Sequence, residues 1–171
     1  MLNLGILTIS DKGWQGERAD DSGTAIKERF SQRDSRAVRY EVVPDEVDII
    51  AGKLAQWADE GSIDIIVTTG GTGLGPRDVT PEATLKVLDK EVPGLTEAMR
   101  AETFHRTPTA ILSRAVAGVR GKCLIVNLPG SPEAVRECLD IILPVLPHAV
   151  QIIKGEITEH SHSGGGESGA H

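Results

Sequence analysis

The residues most able to do chemistry lie in one short run, Thr68-Thr69-Gly70-Gly71-Thr72-Gly73-Leu74-Gly75-Pro76-Arg77-Asp78-Val79-Thr80. Four glycines in the six positions from Gly70 to Gly75 let a backbone approach a ligand closely and turn its N–H groups inward, which is how anion-binding loops work. Phosphate is the natural ligand. The run is not a Walker A loop, because no Gly-Lys-Ser/Thr follows, and not the dinucleotide fingerprint, because Pro76 stands where the third glycine would be. Two carboxylates accompany it. Asp78 precedes Val79 and Thr80, and Asp45 stands at the mouth of the preceding strand; such a pair suits Mg²⁺, which binds through one or two carboxylates plus substrate phosphates. Both also have structural explanations, Asp45 at the first turn of a helix and Asp78 paired with Arg77 or bonded to loop N–H groups. Pattern alone leaves these readings open.

Further candidates are Ser10-Asp11-Lys12-Gly13, Asn127 to Ser131, and Leu112 to Gly121 with Ser113, Arg114 and Arg120. Ser131 ahead of Pro132-Glu133 is a helix cap whose free N–H groups suit a phosphate. Arginine suits bidentate phosphate contact, although an exposed arginine in a hairpin is usually solvated surface. No Ser or Cys constellation surrounds His105 or His148, so acyl transfer by a triad has no support. Cys123 and Cys138 lack Cys-x-x-Cys spacing and read as small buried hydrophobes.

The elements that must position these residues alternate along the chain. Leu4 to Ser10, Ala37 to Val43, Asp64 to Thr68 and Lys122 to Leu128 read as strands. Ser22 to Phe30, Glu46 to Glu60, Pro93 to Phe104 and Pro132 to about Leu143 read as helices; another starts at Thr80, with Thr80 as N-cap and Pro81 first in the helix. The pattern predicts a three-layer α/β domain around a mostly parallel sheet flanked by helices. Such sheets place their sites outside the carboxyl ends of the strands, where the Gly, Ser, Thr and Asp fall here. The expected domain spans residues 1–155. Residues 156–171, rich in Gly, Ser and His, read as a disordered tail that includes His160, His162 and His171.

Composition limits the partners. Of 171 residues only 3% are aromatic, and the net charge is −7, so a base-stacking basic groove for nucleic acid is not expected. Three glutamates and no Lys or Arg fall in residues 156–171, which leaves the body at −4. No run reaches the length of a membrane span, and Met1 to Leu7 lacks a charged n-region and cleavage site, so a cytoplasmic protein is expected.

With these residues in view, the chain resembles the molybdopterin-binding family that includes the Mog and MoaB proteins and the gephyrin G domain. The resemblance rests on Thr69 to Gly73, Pro76 to Thr84, Val92-Pro93-Gly94-Leu95, Ile9-Ser10-Asp11 with Asp20 to Gly23, Leu112-Ser113-Arg114 with Ala117-Gly118 and Arg120-Gly121, and Asn127 to Pro132. It covers nearly the whole body, Leu4 to Gly155. It implies adenylyl transfer: the molybdopterin phosphate attacks the α-phosphorus of ATP, with Mg²⁺ present, giving adenylated molybdopterin and pyrophosphate in molybdenum cofactor biosynthesis. It further implies a homotrimer and handover of the product to a molybdenum insertase. Asp45 and Asp78 match the family's two functional aspartates, which favours the catalytic and metal-holding reading of both. By the same resemblance Thr69, Gly70, Gly71, Thr72, Gly73 and Ser113 lie along the nucleotide and pterin phosphate path, while Ser10, Asp11, Gly130 and Ser131 line its edges. Thr24 departs from the pattern, since many members have Pro there. A pterin-binding module without turnover, a nucleotide-hydrolysing relative and a pure interaction domain are the alternatives.

Overall fold

The computed structural model describes residues 1–157; the expected disordered tail lies, but for Glu156 and Ile157, outside the described residues. In chain order the elements are β1 (Leu2–Ile9), α1 (Asp11–Trp14), α2 (Asp21–Ser31), β2 (Ser35–Val43), α3 (Val47–Asp59), β3 (Ile65–Thr69), α4 (Thr80–Leu85), β4 (Lys90–Glu91), α5 (Pro93–Phe104), a 3-10 turn (Pro108–Leu112), β5 (Ala117–Arg120), β6 (Cys123–Leu128), α6 (Pro132–Ile142), a second 3-10 turn (Leu143–Val145) and α7 (Leu146–Ile153).

The period-two alternation of the central strands divides their apolar side chains between two cores. Leu4, Ile6, Ile65, Val67, Leu124 and Val126 face Ile26 and Phe30 of α2, Met99 of α5, Val135 and Leu139 of α6, and Val150 of α7. Leu7, Ile9, Ile66, Cys123 and Ile125 face Ile50, Leu54 and Trp57 of α3 and Ala83 of α4. The result is the expected three-layer sandwich.

The sheet order is β2-β1-β3-β6-β5-β4; β2, β1, β3 and β6 pair in parallel, and β5 runs against both of its neighbours, β6 and β4. The antiparallel extension falls in a stretch read from sequence only as a candidate Ser-Arg segment. Ala-Gly-Val-Arg is too short and too glycine-interrupted to show a strand period. From β1 the chain runs outward to β2, then returns to lay β3 on the other side of β1. Neighbouring crossovers diverge there, and the crevice at the carboxyl ends of β1 and β3 is the topological switch point at which such sheets bind ligands.

Asn127, fully buried on β6, ties that end of the sheet together. Its amide donates to Thr68 Oγ1 and Thr84 Oγ1, both at 3.0 Å, and its Oδ1 accepts from Val116 N–H at 3.2 Å. A buried amide with all these partners costs little and fixes the register of its neighbours.

Candidate functional site

β3 runs out at Thr69 into Gly70 and Gly71, whose φ angles are +95° and +70°. Space as well as dihedral requires glycine at both: a Cβ on Gly70 would lie 2.3 Å from the Ile9 carbonyl oxygen, and one on Gly71 would lie 2.3 Å from Thr80 Oγ1. The turn is fastened from three sides. Gly70 N–H donates to Leu128 O at 3.3 Å, Thr80 N–H donates to Gly71 O at 3.1 Å, and Thr80 Oγ1 donates to Gly70 O at 2.9 Å.

That last bond corrects one expectation. Thr80 is the first residue of α4 rather than its N-cap; Val79 precedes the helix and offers no side-chain cap. The positive φ at Gly71 brings the Gly70 carbonyl back across the start of the helix, so the hydroxyl is used on the loop. The Ser131 cap does form, with Ser131 Oγ accepting from Ala134 N–H at 3.2 Å. Ser10 caps α1 in the same way, accepting from Gly13 N–H at 3.0 Å.

Two carboxylates flank the loop. Asp78 Oδ2 accepts from Gly75 N–H at 2.9 Å, and a Cβ on Gly73 or Gly75 would come within 2.9 Å of that oxygen, so both glycines make room for the carboxylate. Asp45 stands on the other side, its Oδ1 at 3.3 Å from where a Gly71 Cβ would be. Its Oδ2 accepts from Asp11 N–H at 2.9 Å, and Asp45 N–H donates to Asp11 Oδ1 at 3.0 Å. Arg77 turns away from Asp78 and binds Asp11 through Nε and Nη2 at 3.1 and 3.0 Å, and Glu46 at 3.0 Å.

This arrangement divides the charges. The Arg77 guanidinium, then the Asp45 N–H, hold the Asp11 carboxyl below its ordinary range. Burial pushes Asp45 up, and the negative charges of Asp11 and Asp78 add to that against the Asp11 N–H bond. Each of Asp45 and Asp78 commits one oxygen to a backbone N–H, and among the described residues its Oδ1 has no hydrogen bond. A Mg²⁺ ion fits this donor set of hard carboxylate oxygens beside a phosphate-sized loop. It would also relieve the cost of ionised Asp45. Among the described residues no group of three or more His, Cys, Asp and Glu is placed to hold a metal. Cys123 and Cys138 are buried and free, their thiols pushed up to about 12 by burial, as expected of small hydrophobes.

Among the clefts at this end of the sheet, two adjoin the glycine loop. One, of about 510 Å³, runs over α5, the Pro108–Leu112 turn and α6, and takes in Thr72, Gly73 and Ser113. The other, of about 550 Å³, lies over the switch point and takes in Ser10, Asp45, Thr69 and Gly70. Gly71, Asp78, Gly130 and Ser131 line both. The loop carrying Gly130 is held by Ser22 Oγ, which donates to Gly130 O at 2.5 Å, and by Thr69 Oγ1, which donates to Pro129 O at 2.6 Å.

Of the residues expected to bound the phosphate path, Asp11 is the one that lines neither cleft; it sits behind Asp45, holds it, and lines a neighbouring cleft with Arg77 and Glu46. Arg100 escaped notice as a site residue, and Arg114 was singled out only for possible phosphate contact. Arg100 is the one Lys or Arg among the residues lining the first cleft, and it donates to the carbonyls of Ser113 and Ala115 at 3.4 and 3.0 Å. Arg114 reaches the glycine loop from behind. The helical stripe Thr96, Met99, Arg100, Thr103 was visible as a signal for Arg100. For Arg114 the signal was its place directly after Ser113.

Comparison with known proteins agrees with this architecture. Residues 5–148 match the family described as a probable molybdopterin binding domain. A molybdopterin adenylyltransferase of Helicobacter pylori is 46% identical over 156 residues, 90% of this chain and 89% of that protein. The Escherichia coli K12 protein of the same name is 38% identical over 172 aligned positions, covering 92% and 88%. Among solved structures, the molybdopterin biosynthesis enzyme MoaB of Thermus thermophilus superposes with a TM-score of 0.86 at 54% identity, over 91% of this chain and 98% of that one.

Proposed function

The chain belongs to the molybdopterin-binding domain family, and from that premise we propose that it is a molybdopterin adenylyltransferase of molybdenum cofactor biosynthesis. The observation that carries the reading is the pair of adjoining clefts that share Gly71, Asp78, Gly130 and Ser131. A two-substrate transfer needs two binding spaces whose contents meet at one point. Relatives named molybdopterin adenylyltransferase match along nearly the full chain.

In the reaction an oxygen of the molybdopterin phosphate bonds to the α-phosphorus of ATP. The bond from that phosphorus to its bridging oxygen breaks, and pyrophosphate leaves with the electron pair. Gly71, Thr72 and Gly73 receive phosphate oxygens on backbone N–H groups and the Thr72 hydroxyl; Thr69 and Gly70, whose hydroxyl and N–H are bonded to Pro129 O and Leu128 O, shape the floor of the path, and Ser113, Gly130, Ser131 and Ser10 bound the two spaces. Asp45 and Asp78 would hold Mg²⁺, which when bound neutralises charge on the transferring phosphate. Asp11 holds Asp45 in place. The chemistry is positioning and charge stabilisation, with no covalent step on the protein.

The same reading places the protein in the cytoplasm as a homotrimer that hands its product to a molybdenum insertase. Among the described residues no helix is long and apolar enough to cross a membrane. A trimer would elute with a light-scattering mass three times 18.2 kDa.

The test mixes the protein with ATP, Mg²⁺ and molybdopterin and assays adenylated pterin and pyrophosphate together. Both products in equal amount support the reading. Pyrophosphate alone points to nucleotide hydrolysis, and bound pterin with neither product points to a binding module; either result overturns it.

A further inference from the structure

We propose that Arg114 is a positioning residue for the transfer, setting the direction of the glycine loop's N–H groups and of Asp78 by gripping the loop's carbonyls from behind. The inference rests on the adenylyl-transfer reading and deepens it. Arg114 Nε donates to Gly73 O at 2.8 Å and Nη2 to Asp78 O at 2.7 Å, while its backbone N–H donates to Thr72 O at 2.8 Å. One residue of a distant segment therefore holds three carbonyls, at both ends of the stretch from Thr72 to Asp78.

Every peptide bond in this stretch is trans, so the N–H of each peptide points opposite to its carbonyl. Drawing the carbonyls of Thr72, Gly73 and Asp78 onto Arg114 turns the N–H groups of Gly73, Leu74 and Val79 away from it. Arg114 lines neither cleft, whereas Gly73 lines the first and Asp78 lines both. The grip thus keeps acceptors off the phosphate side of the loop and fixes the backbone from which the Asp78 carboxylate projects. Among the described residues, the bonds made within the stretch from Thr72 to Asp78 itself join Gly75 and Asp78. Leu74, between the two gripped ends, is 66% exposed and adds no packing to hold it.

The guanidinium is itself aimed by Glu82 on α4, whose two carboxylate oxygens accept from Nη1 at 2.6 and 3.0 Å. A fork of separate donors is needed to serve Gly73, Asp78 and Glu82 together, and a lysine ammonium, a point charge on a flexible stem, does not reproduce it.

The experiment compares Arg114→Lys, which keeps a positive charge opposite Glu82 but breaks the side-chain grip on the Gly73 and Asp78 carbonyls, with Glu82→Gln, which breaks the ion pair and leaves that grip. In steady-state assays of adenylated pterin, Arg114→Lys lowers kcat at least about tenfold while KM for ATP changes less, and Glu82→Gln stays within about threefold. Equal losses in the two variants, or full rate in Arg114→Lys, overturn the proposal. If Arg114→Lys fails to fold, Arg114→Ala is assayed with millimolar guanidinium: returning rate supports the role, and no return overturns it. Calorimetric binding of ATP with Mg²⁺ is measured alongside. If wild type makes no adenylated pterin, the adenylyl-transfer reading fails. Weaker ATP binding in Arg114→Lys alone then still supports the grip, and unchanged binding overturns it.

Discussion

Asp11 and Asp45 each donate a backbone N–H to the other's carboxylate, at 2.9 and 3.0 Å. The exchange joins the loop after β1 to the loop after β2. Arg77, bound to Asp11 from the glycine loop, extends the link to the end of β3. Three strand ends that share no sequence neighbourhood are thereby held as one rim, with Asp45 turned toward Gly71.

Neutralising Asp45 should stabilise the protein and lower its turnover. Burial holds this carboxyl above its ordinary value; a group raised on folding contributes stability below its unfolded pKa and loses it as pH rises through the folded one. Asp45→Asn, which keeps an acceptor for Asp11 N–H, should therefore raise Tm at pH 7, by a small amount because water screens the half-buried carboxylate. At pH 3 the two proteins should melt together. Mg²⁺ should raise the Tm of wild type more than that of the variant. Scanning calorimetry at both pH values, with and without the ion, checks all three.

Arg77→Gln should act in the opposite pH window. Asp11 titrates below its ordinary value because of the Arg77 bonds first, so its contribution is present above the unfolded carboxylate pKa near ~3.9 and is lost as pH falls through the lower folded value. The variant should melt below wild type at neutral pH, with the gap closing in acid. A gap that is constant from pH 7 to pH 2 would show that Arg77 stabilises by packing instead.

Asp78→Asn should separate chemistry from folding. Its Oδ1 can still accept from Gly75 N–H, so Tm should stay close to wild type. Loss of the charge should cut kcat on the order of a hundredfold, the size seen when one preorganised electrostatic group is removed. Chelating Mg²⁺ with EDTA should reduce wild type to a similar rate and barely affect the variant. Wild-type turnover in EDTA would refute the metal-holding role.

Thr80→Val tests the loop's hinge. Thr80 is fully buried, and the isostere leaves the Gly70 carbonyl without its hydroxyl donor. A buried acceptor stripped of its partner costs about 1–3 kcal/mol, which urea unfolding should register as a lower midpoint with an unchanged m-value. ATP affinity should fall with it.

The strands and helices were legible because their signals are local. Short β-branched runs such as Ile65-Ile66-Val67, proline-led helix starts at Pro93 and Pro132, and the Ser131 cap depend on neighbours along the chain, and the structure follows them to within a residue or two. The Thr80 cap misled for the same reason: its sequence context matches a capping threonine, but a carbonyl ten residues back competes for the hydroxyl. β4 and β5 were hidden because a two-residue and a four-residue strand exist only by pairing with each other and with β6.

By itself, then, the sequence determined the α/β class, the glycine loop with its two aspartates, and the family to which the chain belongs, since all are carried by residue types at short spacing. Tertiary structure alone decided which strand ends meet. Sheet order placed β1 beside β3 and brought Asp45 to Gly71. Long-range bonds assigned Asp11 to hold Asp45 rather than to line the two adjoining clefts, and turned Arg114 from a surface charge into a grip on the loop. Such roles depend on contacts between residues 34 to 66 positions apart, and no local propensity encodes a bond whose two partners are brought together only by packing of the sheet.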